Sequence, residues 1–411
     1  MLLVGPSGTG KSSFAERHFR NTEVVSSDHC RGLVCDHEDN QAATQDAFDL
    51  LHTIVEKRLK NHRLTVVDAT NLLAKDRAGL LKVAKNYHAP VVAIIFNLDI
   101  DVCLERNNSR PNRQVKPSVV KEHIQSLKSS RKQIKKEGIH QFFTLNTPED
   151  IDSIKLTRQK LSCDKRTETA PFDIIGDIHG CADELERLLE KLGYKIKQNS
   201  NRTYAITPPM NRRAIFVGDL VDRGPRTPDV LRIVKNMVDN GTAFCVKGNH
   251  ENKLVRALDG KDVALTHGLD KSLDQFATET SEFRHEMRNF MDGLVSHYVL
   301  DGGKLVITHA GLCEDMQGRS SSAVRAFCAY GDTLGQKDNL GLSIRHDWAQ
   351  DYKGSAKVVY GHVPNITLEW VNNTLCIDTA CVFGGNLTAL RYPEMELIDV
   401  PAAKIYCAPA H

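Results

Sequence analysis

Residues 5–12 read GPSGTGKS, a GxxxxGK[ST] loop lying between an apolar run and a helical pattern. Gly5, Gly8 and Gly10 let the backbone turn tightly, so its N–H groups, with Ser7 and Thr9, can wrap a triphosphate. The helix that follows adds partial positive charge at its N-terminus. Lys11 is expected on the β- and γ-phosphates and Ser12 on Mg²⁺, which makes ATP the expected ligand. The bland alternative is an ordinary glycine turn. Such a loop names the phosphoryl donor and leaves the acceptor open.

A second constellation runs through GDIHG (176–180), GDLVDRG (218–224), GNHE (248–251), THAG (308–311) and GH (361–362). Hard divalent metals in a phosphatase need carboxylate, amide and imidazole ligands converging from several strand ends. Asp177 and His179 suit one metal, Asp219 would bridge, and Asn249, His309 and His362 complete the second. Two such cations stand about 3.5–4 Å apart and activate a water for in-line attack on phosphorus. Arg223 would neutralise phosphate oxygens. His250 would protonate the leaving oxygen, with Asp222 orienting it. Any one of these histidines alone would more often be structural; five ordered motifs, each behind an apolar run, are a strong signal.

Three further clusters bear on the acceptor. Asp28, in Ser26-Ser27-Asp28-His29-Cys30-Arg31, follows a strand and could take a proton from an attacking hydroxyl, with Arg31 clamping a substrate phosphate. A solvated helix-capping aspartate is the alternative there. Asp68-Ala-Thr-Asn71 closes another strand, where a Walker-B-like acid would stand. Arg106, Arg110 and Arg113 recur at three- to four-residue spacing, a lid pattern that would stabilise charge on the transferring phosphoryl group. The alternative for these is a solvated basic helix.

The elements that must position these groups read as α/β. In the first half, apolar runs at 2–4, 23–26, 64–68, 91–96 and 142–145 alternate with amphipathic segments at 11–20, 44–60, 75–87 and 118–137. Phe48, Leu51, Val55 and Leu59 share one face of the second segment, and Gly138 is placed as a C-cap of the last. Such alternation predicts βαβ units around a parallel sheet. The expected division is a P-loop kinase domain over 1–160, a polar linker over 161–171 and a binuclear metallophosphoesterase α/β sandwich over 172–411. Strands are expected at 172–175, 214–217, 243–246, 304–308 and 357–360, with a mostly helical insertion over 259–300. Hairpin strands are expected between 367 and 391, turning at Asn372-Asn373.

At 411 residues two domains are the default. No apolar run approaches the roughly 20 residues of a membrane helix, and no signal peptide is read at the N-terminus. Eleven scattered cysteines without CxxC spacing fit a reducing cytoplasm better than a disulfide framework. Net charge is +2, yet residues 105–136 carry ten basic and two acidic side chains. An anionic partner for the first domain is therefore expected.

The P-loop, SSDHCRG, VVDATN and ERNNSRPNRQV, in this order and followed by GDIHG, resemble the bacterial polynucleotide kinase-phosphatases of RNA repair, and the likeness spans essentially the whole chain. It implies that Asp28 is the general base for a 5′-OH and that Arg31 contacts the acceptor phosphate. Arg106 and Arg110 would be lid arginines on the donor, and Asp378 a further active-site acid. It also implies manganese as the phosphatase metal pair, although the ligands suit several metals. The partners would be single-stranded or nicked RNA or DNA ends, together with a ligase or an RNA 3′-end methyltransferase of the same repair route. Larger relatives carry a ligase-type domain after the phosphatase; no KxDG nucleotidyl-lysine motif occurs here, so sealing is not assigned to this chain. The expected function is end healing, which turns a 5′-OH into a 5′-phosphate and a 2′,3′-cyclic, 2′- or 3′-phosphate into a 3′-OH. A serine/threonine-type protein phosphatase fused to a small-molecule P-loop kinase is the alternative enzyme, and a nucleotide-gated binding module the non-enzymatic one.

Overall fold

In a computed structural model that describes residues 1–110, 115–169, 171–199, 202–337 and 343–408, the chain divides into two compact units, Met1–Gln159 and Lys160–His411. Arg113 lies outside the described residues.

The first unit is a five-stranded parallel sheet in the order β2-β3-β1-β4-β5, made of β1 (Leu2–Val4), β2 (Val24–Ser26), β3 (Val66–Asp68), β4 (Val92–Phe96) and β5 (Gln141–Leu145). The helices are α1 (Lys11–His18), α2 (Ser27–Cys35), α3 (Thr44–Lys60), α4 (Ala74–Asn86), α5 (Ile100–Asn108), α6 (Pro117–Ile134) and α7 (Pro148–Ser153). Strand residues alternate between two cores, because successive side chains point to opposite faces. Leu2, Val4, Val67, Ala93 and Ile95 pack with Ala47, Leu51 and Val55 of α3 on one face. Leu3, Val66, Ile94 and Phe96 pack with Phe14 of α1 on the other. With both faces covered, β1, β3 and β4 read as continuous apolar runs; β5, expected to be buried as well, is an edge strand that leaves Phe142 and Phe143 exposed. The helix expected over 118–137 ends at Ile134; Gly138 has φ +78° but stands beyond a run of turns.

The second unit stacks two sheets. One has the order β10-β9-β6-β17-β18, the other β11-β12-β15-β16. The first contains β6 (Phe172–Ile175), β9 (Arg213–Phe216), β10 (Ala243–Cys245), β17 (Asn386–Tyr392) and β18 (Glu396–Pro401). The second contains β11 (His297–Leu300), β12 (Leu305–Thr308), β15 (Lys357–Tyr360) and β16 (Thr374–Cys376). Two separate hairpins complete the strands: β7 (Lys195–Gln198) with β8 (Tyr204–Thr207), and β13 (Asp332–Lys337) with β14 (Ser343–His346). The helices are α8 (Ala182–Lys191), α9 (Thr227–Asp239), α10 (Asn249–Leu258), α11 (Leu269–Ala277), α12 (Ser281–Gly293), α13 (Ser322–Tyr330) and α14 (Trp348–Asp351). Ile174, Ile215 and Val217 face Leu305, Ile307 and Val359 to make the core between the sheets. Helices close the outer faces: α8 and α9 through Leu185, Leu188, Leu231 and Val234, and α13 and α14 through Val324 and Trp348. This is the expected α/β sandwich.

Three parts differ from the sequence reading. The insertion over 259–300 is helical only to Gly293 and ends in β11, which pairs antiparallel with β12. Residues 163–165, read as linker, hydrogen-bond that strand, with Val299 N–H donating to Cys163 O at 2.9 Å and Lys165 N–H to Val299 O at 2.9 Å. Asn372 does sit in a turn, at φ +52°, but the strand that follows pairs parallel with β15; the antiparallel hairpin is β17–β18.

β11 also carries an acid-sensitive residue. His297 is fully buried, and its Nε2 accepts the Gly318 N–H at 3.0 Å, which fixes a neutral ring. Burial lowers its pKa to about 4. The unfolded chain therefore binds this proton first, so stability falls as pH drops below about 6.5 and stops falling below about 4. The expected loss from this group between pH 7.5 and pH 5 is about 2 kcal/mol. Denaturant unfolding of wild type and His297→Gln at both pH values checks it: the difference between the two proteins should change by about that amount.

Candidate active sites

In the first unit Gly8 and Gly10 both lie at φ +84°. A Cβ on Gly8 would stand 2.2 Å from the Cys103 carbonyl oxygen on α5, so only glycine passes there. Lys11 opens α1, is buried, and donates from Nζ to the carbonyls of Gly5 (2.8 Å) and Pro6 (2.7 Å). Burial lowers its pKa to about 8, with Asp68 pulling the other way. Thr9 donates its hydroxyl to Pro6 O at 2.9 Å and braces the loop. Asp68 closes β3, is pushed up by burial, and accepts the Ser12 hydroxyl. Ser12 and Asp68 thus form the hydroxyl–acid pair that suits Mg²⁺ at a P-loop. Arg106 Nη1 lies 3.4 Å from where a Cβ on Gly10 would stand, and Arg110 is near enough to act electrostatically on Lys11 and Asp68. Two of the three expected lid arginines therefore gather at the loop.

Asp28 stands in the first turn of α2, directly beyond β2, whose Ser26 is in register with Asp68. Arg31 differs from the reading as an open phosphate clamp. Its side chain is buried, and Nη1 donates to Asp28 Oδ1 at 2.8 Å and to Glu38 O at 2.6 Å. Here it holds the carboxylate in place. His123 on α6 lies 3.5 Å from Ser7 Oγ through Nδ1. A lone histidine inside an amphipathic helix gave no signal in sequence.

In the second unit the parallel strands β6, β9 and β10 end at one edge, and GDIHG, GDLVDRG and GNHE begin there. β12 and β15, also parallel, deliver His309 and His362. The six expected ligands come together. His309 Nε2 lies 2.9 Å from Asn249 Oδ1, 3.0 Å from His362 Nδ1 and 3.3 Å from Asp219 Oδ1. His179 Nε2 lies 3.6 Å from Asp219 Oδ2, and His362 N–H donates to Asp177 Oδ2 at 2.9 Å.

Backbone carbonyls behind the rings decide which nitrogens face inward. His309 Nδ1–H donates to Val217 O at 3.1 Å and His179 Nδ1–H to Val221 O at 2.9 Å. Each ring therefore presents an Nε2 lone pair to Asp219, as metal-binding histidines do. So many carboxylate, amide and imidazole atoms converging in one buried pocket suit cations. Asp177 Oδ1 adds to this, being buried without a hydrogen-bond partner. Burial, with Asp378 and Asp219 nearby, raises its pKa well above the usual carboxylate range. Burial also lowers the His309 pKa, but the Asp219 carboxylate more than offsets it. Asp219 itself is held well below its ordinary range by His309, His250 and His179, despite burial. The donor set fits two divalent metals sharing Asp219.

Around this cluster the proton-handling groups are also in place. His250 Nδ1–H donates to Asp222 Oδ2 at 2.6 Å, and both residues are buried. That bond leaves His250 Nε2 toward Asp219 Oδ2, 3.8 Å away. Arg223 donates from Nη1 to His179 Nε2 at 2.6 Å. Asp378 is buried, accepts the Ala380 N–H at 3.0 Å, and has a pKa raised by burial to about 6. His179, Asp219, Asp222, Arg223 and His362 all adopt positive φ, between 46° and 75°. Each such residue costs about 1–3 kcal/mol, and strain of this kind concentrates where function over-determines the backbone.

Three supporting residues were missed from sequence. Glu251 is fully buried and accepts N–H groups from Gly248 (2.8 Å), Asp219 (3.1 Å) and Leu220 (2.7 Å), tying two ligand loops together. Burial and Asp219 raise its pKa to about 7. It was visible as the last letter of GNHE, three positions after an N-cap glycine. Ser272 and Gln275, on α11, have no motif at all. Ser272 Oγ accepts the Asp222 N–H at 2.9 Å, and Gln275 bonds Thr227 N–H and Gly224 O.

Residues 1–134 match the family described as AAA domain. A bis(5′-nucleosyl)-tetraphosphatase PrpE [asymmetrical] of Anoxybacillus flavithermus is 44% identical over 241 residues, covering 58% of this chain and 96% of that protein. Its namesake in Geobacillus sp. is 42% identical over 239 residues, covering 57% and 96%. Residues 170–398, which hold all six ligands expected for the metal pair of the second unit, match the calcineurin-like phosphoesterases, and the chain belongs to that family.

Proposed function

We propose that this chain heals broken nucleic-acid ends. The first unit would phosphorylate a 5′-OH from ATP, and the second would remove a 2′,3′-cyclic, 2′- or 3′-phosphate. One observation carries the reading: a phosphate-gripping loop, with Asp28 and Arg31 beside it, shares a chain with a complete dinuclear ligand set. A kinase and a phosphatase acting on the same hydroxyl would only consume ATP. Acting on opposite ends of a break, they yield the 5′-phosphate and 3′-OH that a ligase joins. The exposed Lys116, Lys121, Lys128, Arg131, Lys132, Lys135 and Lys136 on and around α6 suit a strand held by its phosphates.

In this reading Asp28 takes the proton of the 5′-OH, held by Arg31, while Lys11, Arg106 and Arg110 face the triphosphate. In the second unit two divalent cations, manganese being our choice, would polarise the phosphate and supply a nucleophile. Arg223 would bind phosphate oxygens, and His250 would pass the proton on Nε2 to the leaving oxygen, oriented by Asp222.

A second reading rests on the relatives named as dinucleoside tetraphosphatases, nearly all of whose length the chain matches. Incubation with ATP, Mg²⁺ and Mn²⁺ separates the two. The substrates are an RNA with 5′-OH and 2′,3′-cyclic phosphate ends and, in a parallel arm, diadenosine tetraphosphate. End healing requires both RNA termini to change, the 5′ reaction weakening as salt rises. Cleavage of the tetraphosphate with both RNA ends untouched would favour the second reading.

A further inference from the structure

A cleft of about 380 Å³ opens beside the metal-ligand cluster, lined by His362 itself and by Ala310, the residue after His309. Its floor is aromatic. The Trp348 indole N–H donates to Ala310 O at 3.2 Å, and the ring leans on Tyr360 with centroids 5.1 Å apart. At the rim Tyr330, the last residue of α13, is 44% exposed. Asp332 and Asp347 complete the wall; Asp332 pairs with His346 at 3.4 Å, and Asp347 is exposed.

This chemistry is wrong for a phosphate and right for what a phosphate is attached to. Carboxylates repel a second anion, but they accept hydrogen bonds from base amino groups and ribose hydroxyls. Aromatic faces stack on any base. We propose that the cleft seats the nucleoside joined to the scissile phosphate. Tyr330 would stack on the base, and Asp347 would accept from the base or ribose. The proposal rests on the reading of the second unit as a nucleotide phosphatase. It adds that specificity for nucleotides is built beside His362, not in the ligand set.

The test uses the full-length protein with Mn²⁺ and two phosphomonoesters: adenosine 3′-monophosphate, and glycerol 2-phosphate, which has no base. Wild type is expected to prefer the nucleotide. Tyr330→Ala should lower kcat/KM for the nucleotide about tenfold, chiefly through KM, and leave glycerol 2-phosphate within about twofold. Tyr330→Phe should restore the preference. Glycerol 2-phosphate turnover also shows that the variant is folded and metal-loaded. An equal loss on both substrates, or none on the nucleotide, would overturn the subsite while leaving the phosphatase reading intact. A wild type that turns over glycerol 2-phosphate but not the nucleotide would overturn both.

Discussion

Alanine at His309 is expected to silence phosphate release while ATP-dependent phosphorylation stays within about twofold of wild type. The imidazole is the hub of the cluster: its Nε2 lies within 3.3 Å of ligand atoms from Asn249, His362 and Asp219. Removing it would take a donor from the proposed metal pair and withdraw the group that offsets Asp219 in a buried pocket shared with Asp177 and Asp378. Several kcal/mol of transition-state stabilisation depend on such a metal site, so the loss should be at least about 10³-fold. Metal content, read by elemental analysis, should drop below that of wild type. Phosphorylation is the internal control, since Lys11, Asp28 and Asp68 lie in the other compact unit. A folded variant that keeps more than about a tenth of its phosphatase activity would remove His309 from the ligand set. Loss of both reactions in a folded protein would defeat the separation of the two chemistries.

How much of this could be read in advance depends on what a residue bonds to. The gathering of Asp177, His179, Asp219, Asn249, His309 and His362 was legible because a parallel sheet presents its strand ends at one edge and each of these residue types stands just beyond an apolar run. The groups that hold those ligands were not. Glu251 and Ser272 act on backbone N–H groups, and a sequence does not display which N–H will lack a partner. The positive φ of Asp219, Asp222 and Arg223 is equally silent, since none of them is glycine. Among the elements, buried parallel strands were clear within a residue or two. β11 was hidden because it follows two amphipathic helices, and HYVL reads as the end of the same insertion. The hairpin was sought at Asn372-Asn373, where turn chemistry is strongest, and it forms instead at β17–β18.

The same distinction explains Arg31. Its charge and its spacing from Asp28 were visible, and they suggested a hand extended to the substrate. In the structure Arg31 is buried and already paired. An enclosed guanidinium that donates to Asp28 Oδ1 and Glu38 O orders a half-exposed carboxylate and the loop behind it. At the glycine loop Lys11, Ser12, Asp68 and Arg106 gather around a backbone set by Gly8 and Gly10. The first unit thus has one acid, Asp68, hydrogen-bonded to the Ser12 hydroxyl and another, Asp28, paired with its own arginine. In the proposed reading these two acids would serve the metal and the base.

Replacing Asp28 should therefore separate catalysis from structure. A general base contributes about 10²–10⁴-fold, so Asp28→Ala is expected to lower the 5′-phosphorylation rate by that range. KM for ATP should hardly move, because the donor is gripped by the loop and not by α2. Asp28→Asn is the sharper variant. It keeps the shape and can still accept from Arg31 Nη1, but it cannot take a proton. If Asp28 served only to anchor Arg31, the amide would retain most of the activity. If it is the base, the amide should be as inactive as alanine, with thermal unfolding close to wild type. Single-turnover phosphorylation of a 5′-OH oligonucleotide, with phosphatase activity as the fold control, reads both. An Asp28→Asn protein that works at more than about a tenth of the wild-type rate would sink the assignment and move the search for the base to Asp68, the other carboxylate at that sheet edge.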